Sequence, residues 1–298
     1  MVIEIEGLWK KFGRFDAVRG MSLSVPEGSA FALIGANGAG KTTTIKTMMN
    51  IIQPDQGSIR ILGTDSRRLS PREYAQIGYV SENQELPERL TVAQFLAYLR
   101  PFYPTWDRAL EASVLGQAQL PSERKIRDLS HGMRAKLALV GALAFRPKLL
   151  ILDEPFSGLD PLVRDEFMEV LLSQVGDSTL LISSHELVEI EGVATHIGFI
   201  DQGRLLFQET MDDLTARIRE IHVTMEGDAV PPPSPPSEWL NLRASGSVIS
   251  FIETRFDEVQ LRSKIAAILG RSNRVEVRPV ELRAIFTTVA RSLRKEAA

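Results

Sequence analysis

Gly35-Ala36-Asn37-Gly38-Ala39-Gly40-Lys41-Thr42, entered directly from the aliphatic run Phe31-Ala32-Leu33-Ile34, is the stretch on which the fold turns. It satisfies G-x-x-x-x-G-K-[ST] at every fixed position. The spacing has a chemical reason. Glycines let the backbone curl into a nest of N–H groups aimed at phosphate oxygens, and the helix that follows adds partial positive charge from its N-terminus. Lys41 can reach the β- and γ-phosphates, and the Thr42 hydroxyl can ligate magnesium. Thr43 follows as a further nucleotide contact. An incidental glycine turn needs neither a strand before it nor a helix after it. Here Phe31 to Ile34 reads as a buried strand and Lys41 to Ile52 as a helix. The motif predicts a nucleoside triphosphate, ATP with Mg2+.

Working outward, Lys148-Leu149-Leu150-Ile151-Leu152 and Thr179-Leu180-Leu181-Ile182 are further buried-strand candidates, with helical patterns between them. That alternation predicts an α/β fold with a mostly parallel sheet covered on both faces. Ile3 to Trp9 and Met21 to Val25 read as an antiparallel β-layer at the N-terminus. Between Thr91 and Ala144 the pattern is helical only: Val92, Phe95, Leu96 and Leu99 recur at helical spacing, as do Leu137, Val140 and Ala144. Five prolines in Val230 to Pro236 exclude helix and central strand there. Around them, Glu220 to Met225, Ser247 to Ile252 and Arg274 to Val277 read as strands, and Asp257 to Leu269 as a helix. A last helix carries the apolar stripe Leu282, Ile285, Phe286, Val289 and Leu293. The expected organisation is a large domain over 1–217, with a helical subdomain at about 83–144, and a small α+β domain over 218–298 whose Pro-rich loop is 230–236.

Leu149 to Leu152 end in Asp153-Glu154. Ligands of open α/β sheets lie beyond the carboxyl ends of the strands, so this strand aims two carboxylates at the nucleotide. Asp153 is the expected magnesium ligand, and Glu154 the group that orients and deprotonates the attacking water.

The phosphate loop, Leu129-Ser130-His131-Gly132-Met133, Asp153-Glu154-Pro155, Ser157-Gly158-Leu159-Asp160 and His185 stand in the order of the ABC-type ATPase cassette. Over roughly residues 2 to 215 the chain resembles that P-loop NTPase family. The resemblance implies further roles. Leu129 to Met133 matches the signature that meets the γ-phosphate of a nucleotide held by the opposite subunit, through Ser130, Gly132 and backbone N–H groups. His131 and Met133 stand where glycine and glutamine are usual, and are read as tolerated variation. Asp160 resembles the residue that reaches across the same interface, and His185 the switch histidine near the γ-phosphate. Phe12 falls where the family stacks an aromatic ring on adenine, and its π-face serves as well as the usual tyrosine. Trp9 competes for that role; Phe12 is preferred by position. Ile77-Gly78-Tyr79-Val80-Ser81-Glu82-Asn83-Gln84 aligns with the family's glutamine loop in a register that places Glu82 at the glutamine position. A carboxylate there can still approach magnesium and accept hydrogen bonds. Gln84 replaces it only if the loop shifts.

One phosphate loop and one signature per chain imply a site completed by a second ATPase cassette, expected to be a homodimer, with a heterodimer of related cassettes as the other arrangement. The family further implies a separate integral membrane permease subunit, export, and a peripheral position on the cytoplasmic face of a prokaryotic cell membrane. Composition agrees. Hydrophobic residues are 44% and charged residues 24%, and the net charge of −3 offers no reason to expect nucleic acid. The longest central apolar run, Leu137 to Phe145, falls short of the roughly 20 residues of a membrane helix. The acidic start at Met1 to Glu4 does not read as a signal peptide. The absence of cysteine excludes disulfides and suits a reducing cytoplasm. The seven basic and three acidic residues of the last 28 are read as a solvated helix. The other functional class is a soluble ABC protein doing mechanical work on ribosome or DNA. Such proteins usually carry two cassettes or a long coiled coil, and this chain has neither.

Overall fold

A computed structural model describes residues 1–176 and 178–288. Two compact units divide the chain, Met1–Gln208 and the part from Glu209 on.

In the first unit β1 (Ile3–Phe12) and β2 (Phe15–Val25) form a hairpin, and β3 (Ala30–Ile34) delivers the phosphate loop to α1 (Lys41–Met48). Next come β4 (Gln56–Ile61), β5 (Thr64–Asp65), α2 (Pro71–Tyr74) and β6 (Ile77–Ser81). The helical stretch contains α3 (Val92–Leu99), α4 (Arg108–Gln117) and α5 (His131–Leu143). It is followed by β7 (Leu149–Asp153), α6 (Pro161–Val175), β8 (Thr179–Ser184), β9 (His196–Asp201) and β10 (Arg204–Thr210).

The N-terminal layer is a sheet of order β2-β1-β4-β5, antiparallel at each of its pairings. The core sheet has the order β10-β9-β3-β8-β7-β6, parallel from β9 through to β6. Its central strands are apolar throughout because both faces are covered: every residue of β7 is buried. Ile3, Leu8, Phe31, Ile45, Ile151 and Leu181 share one buried cluster, which seats the N-terminal layer, α1 and the core sheet on one another. Since β3, β7 and β8 run parallel, the phosphate loop, the acidic pair and His185 all emerge at the same sheet edge.

The second unit contains α7 (Met211–Arg217), β11 (Arg219–Met225), β12 (Trp239–Ser245), β13 (Val248–Glu253), α8 (Glu258–Leu269) and β14 (Ser272–Pro279). Its antiparallel sheet, of order β12-β13-β11-β14, packs Ile221, Val223 and Phe251 against Leu261 and Ile265 of α8. Trp239 stacks on Phe251 at 4.0 Å between ring centroids, and its indole N–H donates to the buried Glu253 carboxylate at 2.8 Å.

Three expectations are corrected. The helix after the phosphate loop stops at Met48 instead of Ile52. Asn50 takes a left-handed φ of 57°, and the Ile51 and Ile52 amides turn back to the Lys46 carbonyl, an asparagine-terminated helix end. The first strand runs on through Phe12, so this residue closes a hairpin instead of following the strand. The strand β12 directly after the prolines was not anticipated. Its mostly exposed residues leave no strong alternation, and Asn241 interrupts it with φ 53°. On the last helix, 282–288 are helical and Leu282, Ile285 and Phe286 are buried; Val289 and Leu293 lie outside the described residues.

Phe251→Ala removes a fully buried ring from beneath Trp239. It is expected to destabilise the second unit by about 3–5 kcal/mol. Hydrogen exchange should accelerate at the β11 and β13 amides while β7 and β8 stay protected.

Candidate functional site

The phosphate loop is held by close backbone packing. The Gly35 amide donates to the Ser184 carbonyl at 3.3 Å, tying the loop to the end of β8. Gly40 has φ 108°, and a Cβ there would stand 2.6 Å from the Ala17 carbonyl oxygen. No other residue fits, so the fixed glycine before Lys41 is a steric requirement.

Lys41 and Glu154 are both buried, at 4% and 7% exposure, and face each other with Nζ–Oε1 at 2.9 Å. Lys41 also donates to the Gly35 carbonyl at 2.5 Å and the Ala36 carbonyl at 3.2 Å. The other Glu154 oxygen accepts from Nδ1 of His185 at 2.7 Å. Glu154 Oε1 has the charge of Lys41 beside it yet no well-aligned hydrogen bond. The residue itself sits at φ 50°, in the turn that ends β7, with its amide donating to Ser183 Oγ at 2.9 Å. The His185 pKa is raised above the ordinary 6.5, mainly by the hydrogen bond to Glu154, against a smaller opposing effect of burial.

Asp153 lies one residue back and is almost wholly buried. Its Oδ1 accepts from Thr42 Oγ1 at 3.1 Å and from Ser183 Oγ at 2.7 Å. Burial pushes its pKa up, the two hydroxyl bonds oppose that, and the Glu154 and Glu82 charges add to it. Glu82, at the end of β6, accepts from Ser157 Oγ at 2.9 Å. Among the described residues no group of three or more His, Cys, Asp or Glu is arranged to hold a metal ion.

One cleft gathers most of the residues expected from sequence. Phe12, Asn37, Gly38, Gly40, Lys41 and Thr42 line it, and Thr43, Glu82, Glu154 and His185 complete its wall. Asp153 meets it through Thr42, while Gly35 and Ala39 form the buried backbone of the loop. Trp9 and Gln84 are not among its lining; Gln84 lines an adjoining cavity with Glu82 and Ser157. Ser130, Gly132 and Asp160 do not line it either. Ser130 caps α5 by accepting from the Met133 amide, and Asp160 caps α6 by accepting from the Val163 amide. Gly132 packs so tightly on α6 that a Cβ would fall 2.4 Å from Val163 Cγ1.

Sequence reasoning missed Phe15, Ala17 and Ser157, which share the cleft. Phe15 pairs with Phe12 across the Gly13-Arg14 turn, and both rings are more than half exposed. The Phe-Gly-Arg-Phe spacing was the available signal, since directly opposed residues of a hairpin point to one face. Lys10 Nζ stands 5.6 Å from the Phe12 ring, a cation–π contact that orients the platform.

The ABC transporter family matches residues 18–157. The ABC transporter ATP-binding protein YtrB of Bacillus subtilis (strain 168) is 30% identical over 229 residues, spanning 76% of this chain and 78% of YtrB. The bacitracin transport ATP-binding protein BcrA of Enterococcus faecalis is 34% identical over 223 residues, spanning 74% of this chain and 72% of BcrA. The solved ATP binding subunit of an ABC transporter superposes with a TM-score of 0.66 at 29% identity, over 72% of this chain and 92% of that one.

The raised His185 pKa has a defined sign. The Glu154 bond contributes its full stabilisation below the ordinary value of 6.5 and loses it as pH rises through the raised one. An NMR titration of His185 is expected to show a midpoint above 6.5 that falls in Glu154→Gln. A midpoint at or below 6.5 in the unsubstituted chain contradicts the pairing.

Proposed function

The chain belongs to the ABC transporter family of ATP-binding subunits, whose cassettes hydrolyse ATP, and we propose that it uses that hydrolysis to drive transport by a separate membrane subunit. The observation that carries the reading is the buried Glu154 between Lys41 and His185, in the wall of a cleft that the phosphate loop also lines. A triphosphate seated on the loop presents anionic oxygens to Lys41, which then exchanges Glu154 for the β- and γ-phosphates. Glu154, with one oxygen lacking an aligned donor, accepts a proton from the attacking water. His185 holds the second oxygen and so fixes the direction in which the free one points.

Thr42 Oγ1, Asp153 Oδ1 and the Glu82 carboxylate are hard oxygen donors at one side of this cleft, and they fit magnesium. Bound there, Mg2+ supplies charge neutralisation at the phosphates. Phe12, with Phe15 opposite it in the hairpin, offers the base a π-face.

Ser130, Gly132 and Asp160 do not line the cleft of their own chain, and this supports a site shared by two cassettes in a homodimer. ATP then joins the subunits, and its hydrolysis releases them. We read 1–217 as the cassette, with its helical subdomain at about 83–144, and 218–298 as an accessory α+β domain. Among the described residues no helix is long and apolar enough to cross a membrane. The relation to bacterial transport ATP-binding proteins supports a peripheral subunit on the cytoplasmic face of a prokaryotic membrane. The relation to BcrA supports export.

Glu154→Gln is expected to bind ATP within a few-fold of the parent, to lose roughly 10²–10⁴ in turnover, and to accumulate an ATP-bound dimer on size exclusion. Turnover near the parent rate sinks the assignment. Glu82→Gln keeps a carbonyl acceptor and should retain measurable ATPase activity. Complete loss of ATP binding in that variant shows that the loop register is wrong.

A further inference from the structure

Two departures from the family pattern, Glu82 for glutamine and His131 for glycine, meet on one residue. Ser157 uses all of its polar groups, each on a different motif. Its amide donates to the Glu154 carbonyl at 3.1 Å and closes the turn that carries the catalytic carboxylate. Its hydroxyl donates to Glu82 Oε1 at 2.9 Å. Its carbonyl oxygen lies 3.1 Å from His131 Nε2; since a carbonyl only accepts, that ring nitrogen carries the proton and donates. His131 is the first residue of α5, and Ser130 before it caps that helix. Glu82 begins the loop after β6, and the Ser157 hydroxyl is the hydrogen bond that holds its carboxylate among the described residues.

We infer that Ser157 is a positioning residue: it sets the Glu82 carboxylate beside the metal position and links that setting, through His131, to the seat of the signature helix. This rests on the reading of Glu82 as a metal-side acid. Three features support it. Glu82, Ser157, Glu154 and Thr42 line the same cleft, so the hydroxyl acts at the site itself. A carboxylate accepts from a serine hydroxyl more strongly than a neutral amide does, which suits Glu82 to this partner. A glycine at 131 has no side chain to reach the Ser157 carbonyl, so the link to α5 exists because histidine stands there. In this chain the substitutions at 82 and 131 are therefore two ends of one connection, and His131 is more than tolerated variation.

The test measures metal binding, with the full-length chain and a non-hydrolysable ATP analogue, using Mn2+ detected by electron paramagnetic resonance as the probe. Ser157→Ala is expected to raise the half-saturating Mn2+ concentration about tenfold, the lower end of the effect of one hydrogen bond to a charged group. Affinity for the analogue in EDTA should stay unchanged, which reports an intact loop and fold. Ser157→Thr retains the hydroxyl and should restore the parent value. His131→Gly should weaken Mn2+ binding by about twofold in the parent and add nothing in Ser157→Ala, because the connection is already cut. Ser157→Ala with parent-like Mn2+ binding overturns the inference where Glu82→Ala weakens it. Glu82→Ala with parent-like Mn2+ binding overturns the assignment of Glu82 beneath it. Additive effects of His131→Gly and Ser157→Ala overturn the link to the signature helix.

Discussion

A carboxylate buried between an ammonium and an imidazole organises this cassette. Glu154 is 7% exposed, with Lys41 Nζ on one oxygen and His185 Nδ1 on the other. Removing one partner of such a pair leaves an uncompensated buried charge, at a cost of about 3–5 kcal/mol. The fold therefore has to bring three chain segments to one point. The parallel arrangement of β3, β8 and β7 does this, because each strand ends at the same sheet edge and hands its next residues to the cleft. The all-apolar β7 anchors the geometry: it is buried along its length, and the turn at Glu154, with φ 50°, throws the carboxylate back toward the phosphate loop.

The same interaction connects structure to chemistry. In the nest at Gly35 to Thr42, Lys41 is already bound to two loop carbonyls and to Glu154, so its ammonium is preorganised within the loop. An incoming triphosphate competes for that ammonium with a single carboxylate. On the proposed mechanism the exchange turns a structural ion pair into a free base and a phosphate clamp in one event. Asp153 takes no part in that ion pair; Thr42 and Ser183 hold its carboxylate beside the phosphate loop.

Much of this was legible in the sequence, for reasons that can be named. The phosphate loop imposes steric limits so tight that Gly40 admits no side chain, and Leu149 to Leu152 could only be a buried strand. The order of the motifs then pointed to Glu154 and His185, which share the cleft with the loop. What stayed hidden depends on tertiary contact. Phe15 lies three residues from Phe12 and joins it only because the hairpin pairs them. The stop at Asn50 required one left-handed residue that the apolar Ile51-Ile52 disguised. The exposed strand β12 carries no periodic signal. Ser157 looked like an ordinary member of its motif; its bonds to Glu82 and to His131 cross 75 and 26 residues of chain.

We propose that the cleft on one copy is finished by the signature of another. The chain has no cysteine, so introduced thiols report without background. One preparation would carry Asn37→Cys in the phosphate loop and a second Ser130→Cys ahead of α5, both exposed positions. Mixed with Mg2+ and a non-hydrolysable ATP analogue and treated with a short bifunctional maleimide, they are predicted to give a nucleotide-dependent covalent dimer. Equal cross-linking with and without nucleotide, or none with it, would contradict the shared site.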